Sequence, residues 1–170
     1  MSTTVAVVAD WIKRLADDER RRDSVRIEQD AIAARKGDLV RREGRRLVDE
    51  LRAAVVRDIS AFRDEFAGDP ARDVLVDIAP PDGGFSVRKP PPGEVSLTVT
   101  PDLDRATLIC AFSFTNTDGL PPREDRVNVM FSDDGSETLR MKHDRTGKLF
   151  ASADDLSEFL LVPVLTGRPR

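Results

Sequence analysis

At 170 residues the chain is long enough for one good core, or for one domain with an extension. Charged residues make up 34 % and apolar ones 39 %, with eight Phe, one Trp and no Tyr, which fits a modest core carrying extra charged helix better than disorder throughout. No stretch nears the roughly 20 apolar residues of a membrane span, and the apolar run 5–9 is too short for a secretion signal, so no membrane partner is expected and the default location is the cytoplasm.

The first helix is expected over about 4–20. Val5, Val8, Ile12 and Leu15 follow a 3-4-3 spacing, and Trp11 sits beside Val8 and Leu15 on the same stripe. Such a stripe on a terminal helix docks either on the chain's own core or on a partner. Its polar face mixes both signs, which argues against a membrane surface. Residues 17–24 are almost wholly charged, and Asp23 or Ser24 would cap a new helix there. Val25, Ile32 and Leu39 then recur every seven residues, but the positions between them that a coiled coil would fill are polar, so the seam is weak.

The strongest helix falls at about 45–67, where Val48, Leu51, Val55, Ile59, Phe62 and Phe66 advance by threes and fours. Gly68 is its expected C-cap, and Pro70 blocks continuation. The Val25–Ile32–Leu39 stripe lies about 200° around from Val48, so one straight helix would show its two stripes to different neighbours. Length raises the same issue, because a continuous helix over 4–66 would reach roughly 95 Å. A compact chain of this size is only about 40 Å across. The helix is therefore expected either to break near 17–24 and 37–44, or to project and need a partner.

The chain changes character at Gly68-Asp69-Pro70. All eleven prolines and eight of the ten glycines lie from there on. Residues 73–78 read as a strand or a last helical turn. Residues 79–93, with Pro80-Pro81, Gly83-Gly84 and Pro90-Pro91-Pro92-Gly93, read as a stiff connection, within which 85–87 adds at most a short strand. A meander follows. Val95, Leu97 and Val99 alternate with polar residues, as do Ala106, Leu108, Cys110, Phe112 and Phe114, then Val127, Val129 and Phe131, then Leu139 and Met141. Residues 148–150 end that strand or begin a fifth. Ser152 is the expected N-cap of a last helix, with Leu156, Phe159 and Leu160 on its apolar face and Pro163 ending or kinking it.

The predicted fold is α+β. N-terminal helices, one of them long at about 45–67, precede a four- to five-stranded antiparallel β-meander and a short C-terminal helix packed on one sheet face. Residues 1–44 form a charged helical arm or hairpin. Residues 45–170 form the α+β domain, with helix 45–67, the Pro-rich connection 79–93, the meander 94–150 and the C-terminal helix 153–165.

Few residues ask for chemistry. The single cysteine, Cys110, lies in an apolar alternation and reads as a buried thiol. The single histidine, His143, neighbours Asp144 and faces Asp133, Asp134 and Glu137 across a hairpin, but the spacing matches no EF-hand or zinc pattern. Asp133-Asp134-Gly135 is turn chemistry, with His143 at a strand end in solvent. Arg88-Lys89-Pro90-Pro91-Pro92 resembles a basic-flanked polyproline ligand, but the pattern is short and common, and a rigid spacer is the better reading. Residues 20–46 carry ten basic groups against five acidic ones, whereas 68–170 carry twelve against seventeen, a polarity suited to self-pairing or a charged partner.

No catalytic, cofactor-binding or metal-ligating residue is assigned, and no enzyme activity or cofactor is expected. The expected function is a protein-interaction or assembly role, in which the chain self-associates, as a homodimer for example, or docks a protein partner. The candidate surface is Val8, Trp11, Ile12 and Leu15. The alternative is association with nucleic acid through the cluster Arg41, Arg42, Arg45 and Arg46, set against an acidic chain with Glu43, Asp49 and Glu50 close by.

Overall fold

A computed structural model describes residues 2–116, 118–133, 135–136 and 138–170, with side chains from residue 9 onward. The chain divides into two units, Met1–Asp38 and Leu39–Arg170.

The first unit is one helix, α1 (Ser2–Leu39). Of the two expected alternatives, the break at 17–24 does not occur. The charges there pair one turn apart along the helix: Arg20 with Asp17 at 2.8 Å, Arg22 with Glu19 at 3.1 Å, Arg26 with Asp23 at 3.3 Å, and Arg21 with Asp18. Each exposed pair supports helix by about 0.3 kcal/mol, so several together hold a segment that lacks an apolar face. Ser24 does not cap, because its hydroxyl donates back to the Arg20 carbonyl at 2.9 Å inside the helix.

The second unit begins with a π-helical turn, Val40–Gly44, in place of the expected interruption at 37–44. Leu39, Gly44 and Arg45 all keep right-handed helical dihedrals, so the turn widens the helix without ending it. Leu39 and Val40 are buried in the core. Helix α2 (Arg45–Glu65) buries Val48, Leu51, Val55 and Ile59, each worth about 2 kcal/mol by transfer from water. The stripe runs out at its end: Phe62 is half-buried, and Phe66, the actual C-cap, is exposed. Gly68 lies in the turn beyond, at φ +85°.

Seven strands follow in one antiparallel sheet whose spatial order is the chain order: β1 (Leu75–Asp77), β2 (Phe85–Lys89), β3 (Val95–Asp102), β4 (Thr107–Phe114), β5 (Arg123–Asp133), β6 (Leu139–His143) and β7 (Leu149–Phe150). The expected four to five strands were too few. The stretch read as a stiff connection contains β2, which pairs with β3 through Phe85↔Val99 and Val87↔Leu97 and buries both Phe85 and Val87. Its prolines sit in the flanking turns, where no ladder N–H is needed. β1 and β7, three and two residues long, settle the two open alternatives at 73–78 and 148–150 in favour of strands.

One sheet face carries the core: Val95, Leu97, Val99, Leu108, Cys110, Phe112, Phe114, Val129, Phe131 and Met141 are all buried on it, with His143 at its β6 end. The opposite face of β4 shows Thr107, Ile109, Ala111 and Ser113, half-buried or exposed, as the mixed alternation implies. Helix α3 (Ala153–Thr166) joins α2 over the apolar face with Leu156, Leu160, Leu161 and Val164. Ser152 caps it, accepting from the Asp155 N–H at 3.2 Å. Pro163 does not end the helix, which continues to Thr166. The Phe159 carbonyl, four residues back, loses its usual N–H donor to the proline ring and accepts from the Arg170 guanidinium at 2.8 Å instead.

Two polar contacts lock α2 to α3. The buried Ser157 hydroxyl donates to Asp58 at 2.7 Å, and Arg57 bridges Asp58 and Asp154 at 3.0 and 2.8 Å. Ser157→Ala is expected to cost about 1 kcal/mol, read as a lower urea midpoint with an unchanged slope. Two glycines should separate more sharply. A Cβ on Gly84 would lie 2.6 Å from the Val99 carbonyl oxygen, so Gly84→Ala should destabilise by about 2 kcal/mol. A Cβ on Gly44 meets side chains alone, tightly only the end of Leu103 at 3.1 Å, and the helix-propensity gain of about 1 kcal/mol should leave Gly44→Ala near neutral in the same assay.

Candidate functional site

The predicted apolar surface lies on α1. Trp11, Ile12 and Leu15 are half-exposed, at 50, 47 and 51 %. The side chain of Val8 lies outside the described residues. Further along the same helix Val25, Ile27 and Ile32 are also exposed. From residue 9 to 35 every side chain is exposed save Ala16, which is intermediate. Helices that are polar all round persist through ion pairs alone, but α1 adds an indole and several branched aliphatics to a surface that covers none of them.

The predicted basic cluster is split between the π-helical turn, with Arg41 and Arg42, and the first turn of α2, with Arg45 and Arg46. All four side chains are exposed. Arg46 pairs with Glu43 at 2.6 Å and Glu50 at 3.2 Å, and Arg45 with Asp49 at 3.7 Å. The hydrogen bond that Arg46 donates to Glu43, and then the Glu43 charge, hold the Arg46 guanidinium above its ordinary range. Arg41 is engaged as well. Much of the cluster's charge is thus answered by neighbouring carboxylates before any phosphate arrives.

His143 is buried at the end of β6 rather than open to solvent. Its Nδ1 accepts from the backbone N–H of Arg145 at 3.1 Å and of Thr146 at 3.3 Å, and its ring meets Phe159 edge-on at 5.7 Å. The ring therefore closes the β6–β7 turn, and its Nδ1 lone pair is committed. Asp133 accepts from the Gly135 N–H at 2.8 Å, an Asx-type turn contact. Asp134 and Glu137 lie outside the described residues. Among the described residues no three His, Cys, Asp or Glu side chains converge as a cation site, and no helix is long and apolar enough to cross a membrane.

No family model, curated protein or solved structure matches the chain.

The periodicity pattern does not reveal a cleft of about 660 Å³ at the C-terminal end of α2, lined by Ser60, Arg63, Asp64, Phe66, Asp69 and Arg72 among others. Four of its charges form two pairs, Arg63 with Asp73 at 2.8 Å and Arg72 with Asp69 at 2.5 Å, while the Arg72 guanidinium sits 4.4 Å over the Phe66 ring. The hydrogen bond from Arg72, helped by the Ala71 N–H, holds the Asp69 carboxyl below its usual range. The dense run Asp69-Pro70-Ala71-Arg72-Asp73 is the only sequence signal of it.

Cys110 is fully buried in the sheet, and burial alone pushes its thiol from 9.0 up to about 12. Native protein at about pH 8 should therefore resist iodoacetamide, with labelling tracking the denaturant unfolding curve. The unfolded thiol ionises near 9 and the folded one near 12, so the stability gained by keeping it neutral is full below about 9 and falls as pH rises towards 12. Replacing Cys110 by Ala should remove that alkaline slope from unfolding curves.

Proposed function

We propose that this chain is a non-enzymatic interaction protein that self-associates or docks a protein partner through α1. The observation that carries this reading is the exposure of Trp11, Ile12 and Leu15, continued by Val25 and Ile32, on a helix of 38 residues. Most helical stability in proteins comes from packing an apolar face, and the apolar side chains described on this helix are about half exposed or more. Trp is the side chain most enriched at the energetic centres of interfaces, because it combines large area with few torsions. In the second unit the buried histidine and thiol are occupied in structural roles, which supports a binding role over a catalytic one.

The test compares the full chain with a Trp11→Ser/Leu15→Ser variant, by light scattering across concentration and by the set of proteins that co-purify. The variant should lose whatever associates, whether its own copies or another protein, with affinity falling about 100-fold for two buried anchors. Equal mass and an identical co-purifying set in both forms would overturn the reading.

A further inference from the structure

The partner class of α1 can be narrowed, on the reading that α1 is the interaction surface. Along the helix, Trp11, Asp18, Val25 and Ile32 recur every seven residues. Leu15, Arg22 and Gln29 recur every seven as well, four residues behind them. Together they form one heptad seam with the first set at d and the second at a. Its members are all exposed. The polar interruptions that weaken the seam are not random: the central layers are one acid, Asp18, and one base, Arg22.

We propose that α1 pairs with α1 of a second copy in antiparallel orientation, centred on Arg20. In antiparallel coiled coils an a residue faces a d residue of the other helix. With the centre at residue 20, Asp18 of each copy faces Arg22 of the other. Leu15 then faces Val25, and Trp11 faces Gln29, whose side-chain oxygen can accept from the indole N–H. The next layer outward sets Ile32 against position 8, a valine in the sequence. The overlap spans residues 8–32, about 36 Å of helix.

The alternatives fail on charge. A parallel in-register pair sets Asp18 on Asp18 and Arg22 on Arg22. Sliding the antiparallel pair by one heptad either way puts Arg22 against Trp11 or against Val25. Only the register centred on residue 20 matches apolar with apolar and acid with base at once. In the single chain Asp18 and Arg22 are held only by exposed pairs one turn away, to Arg21 and Glu19, which exchange readily.

Two measurements on the full chain test the proposal. In the first, ultracentrifugation compares Asp18→Arg, Arg22→Asp and the double exchange, with helicity followed by circular dichroism. Each single change should weaken the dimer about tenfold or more, and the double exchange should recover most of the loss. In the second, differently tagged Leu15→Cys and Val25→Cys chains are mixed and mildly oxidised, with the buried Cys110 inert. A disulfide between the two kinds, and none within either, is expected. Disulfides within each kind would show a parallel pair and overturn the proposal while leaving self-association intact. A dimer without cross-links would place the contact elsewhere and also overturn it. A monomer at every concentration would overturn self-pairing; if the Trp11→Ser/Leu15→Ser variant then loses another co-purifying protein, the docking reading stands, and if it loses none, both fall.

Discussion

The second unit depends on one constraint: the sheet has a single apolar face that water must not reach. Alternation along β3 to β6 places Leu97, Val99, Leu108, Cys110, Val129, Phe131 and Met141 on that face. A slip of one residue in any ladder would turn its whole apolar set to solvent, so the register is strongly specified. The cover is supplied by α2 and α3, and their positions set the remaining close contacts. Gly44 lets the start of the helical cover approach Leu103, and Gly84 lets the turn before β2 lie against the Val99 carbonyl. Asp58, Ser157, Arg57 and Asp154 then hold the two helices side by side.

The same unit resolves its polar groups internally. No buried side-chain nitrogen or oxygen among the described residues lacks a hydrogen-bond partner. Pro163 shows how such accounting works at distance. Its ring removes a helix N–H, the orphaned Phe159 carbonyl takes the Arg170 guanidinium, and that guanidinium also stacks 3.7 Å over the Phe159 ring. Partial burial in this seat lowers the Arg170 pKa, the expected direction for a cation moved out of water. His143 is spent in the same way on the β6–β7 turn.

α1 follows a different physical logic. Its helicity rests on local ion pairs, which are individually weak, and its apolar side chains gain nothing from the surface they occupy. A helix of that composition is stabilised most by a partner that covers the apolar positions and leaves the charges in water. Charge then selects among partners and registers more than it adds affinity, because exposed pairs are worth little in total but like charges placed face to face are costly.

The division of the chain into a helical part and a β part was legible from composition alone, because proline and glycine interrupt helices and are absent or rare before residue 68. So was the buried face of α2, from its three-four spacing, and the burial of Cys110, from strand alternation. The charged segment 17–24 misled, because capping residues and interrupted periodicity suggest a break, whereas one-turn ion pairs hold the helix through it. β1, β2 and β7 were legible only as alternatives to a helical turn, a stiff connection or a strand end, because strands of two to five residues carry too little alternation to decide beside prolines and glycines, and only pairing with a neighbour makes them strands. The stripe Trp11, Ile12 and Leu15 was visible as a pattern, yet a pattern is the same whether its face is covered or bare. The sequence by itself determined which residues are apolar and at what period they recur. Tertiary structure decided which of those faces found cover, because burial depends on contacts between segments far apart in the chain, and no local spacing encodes them.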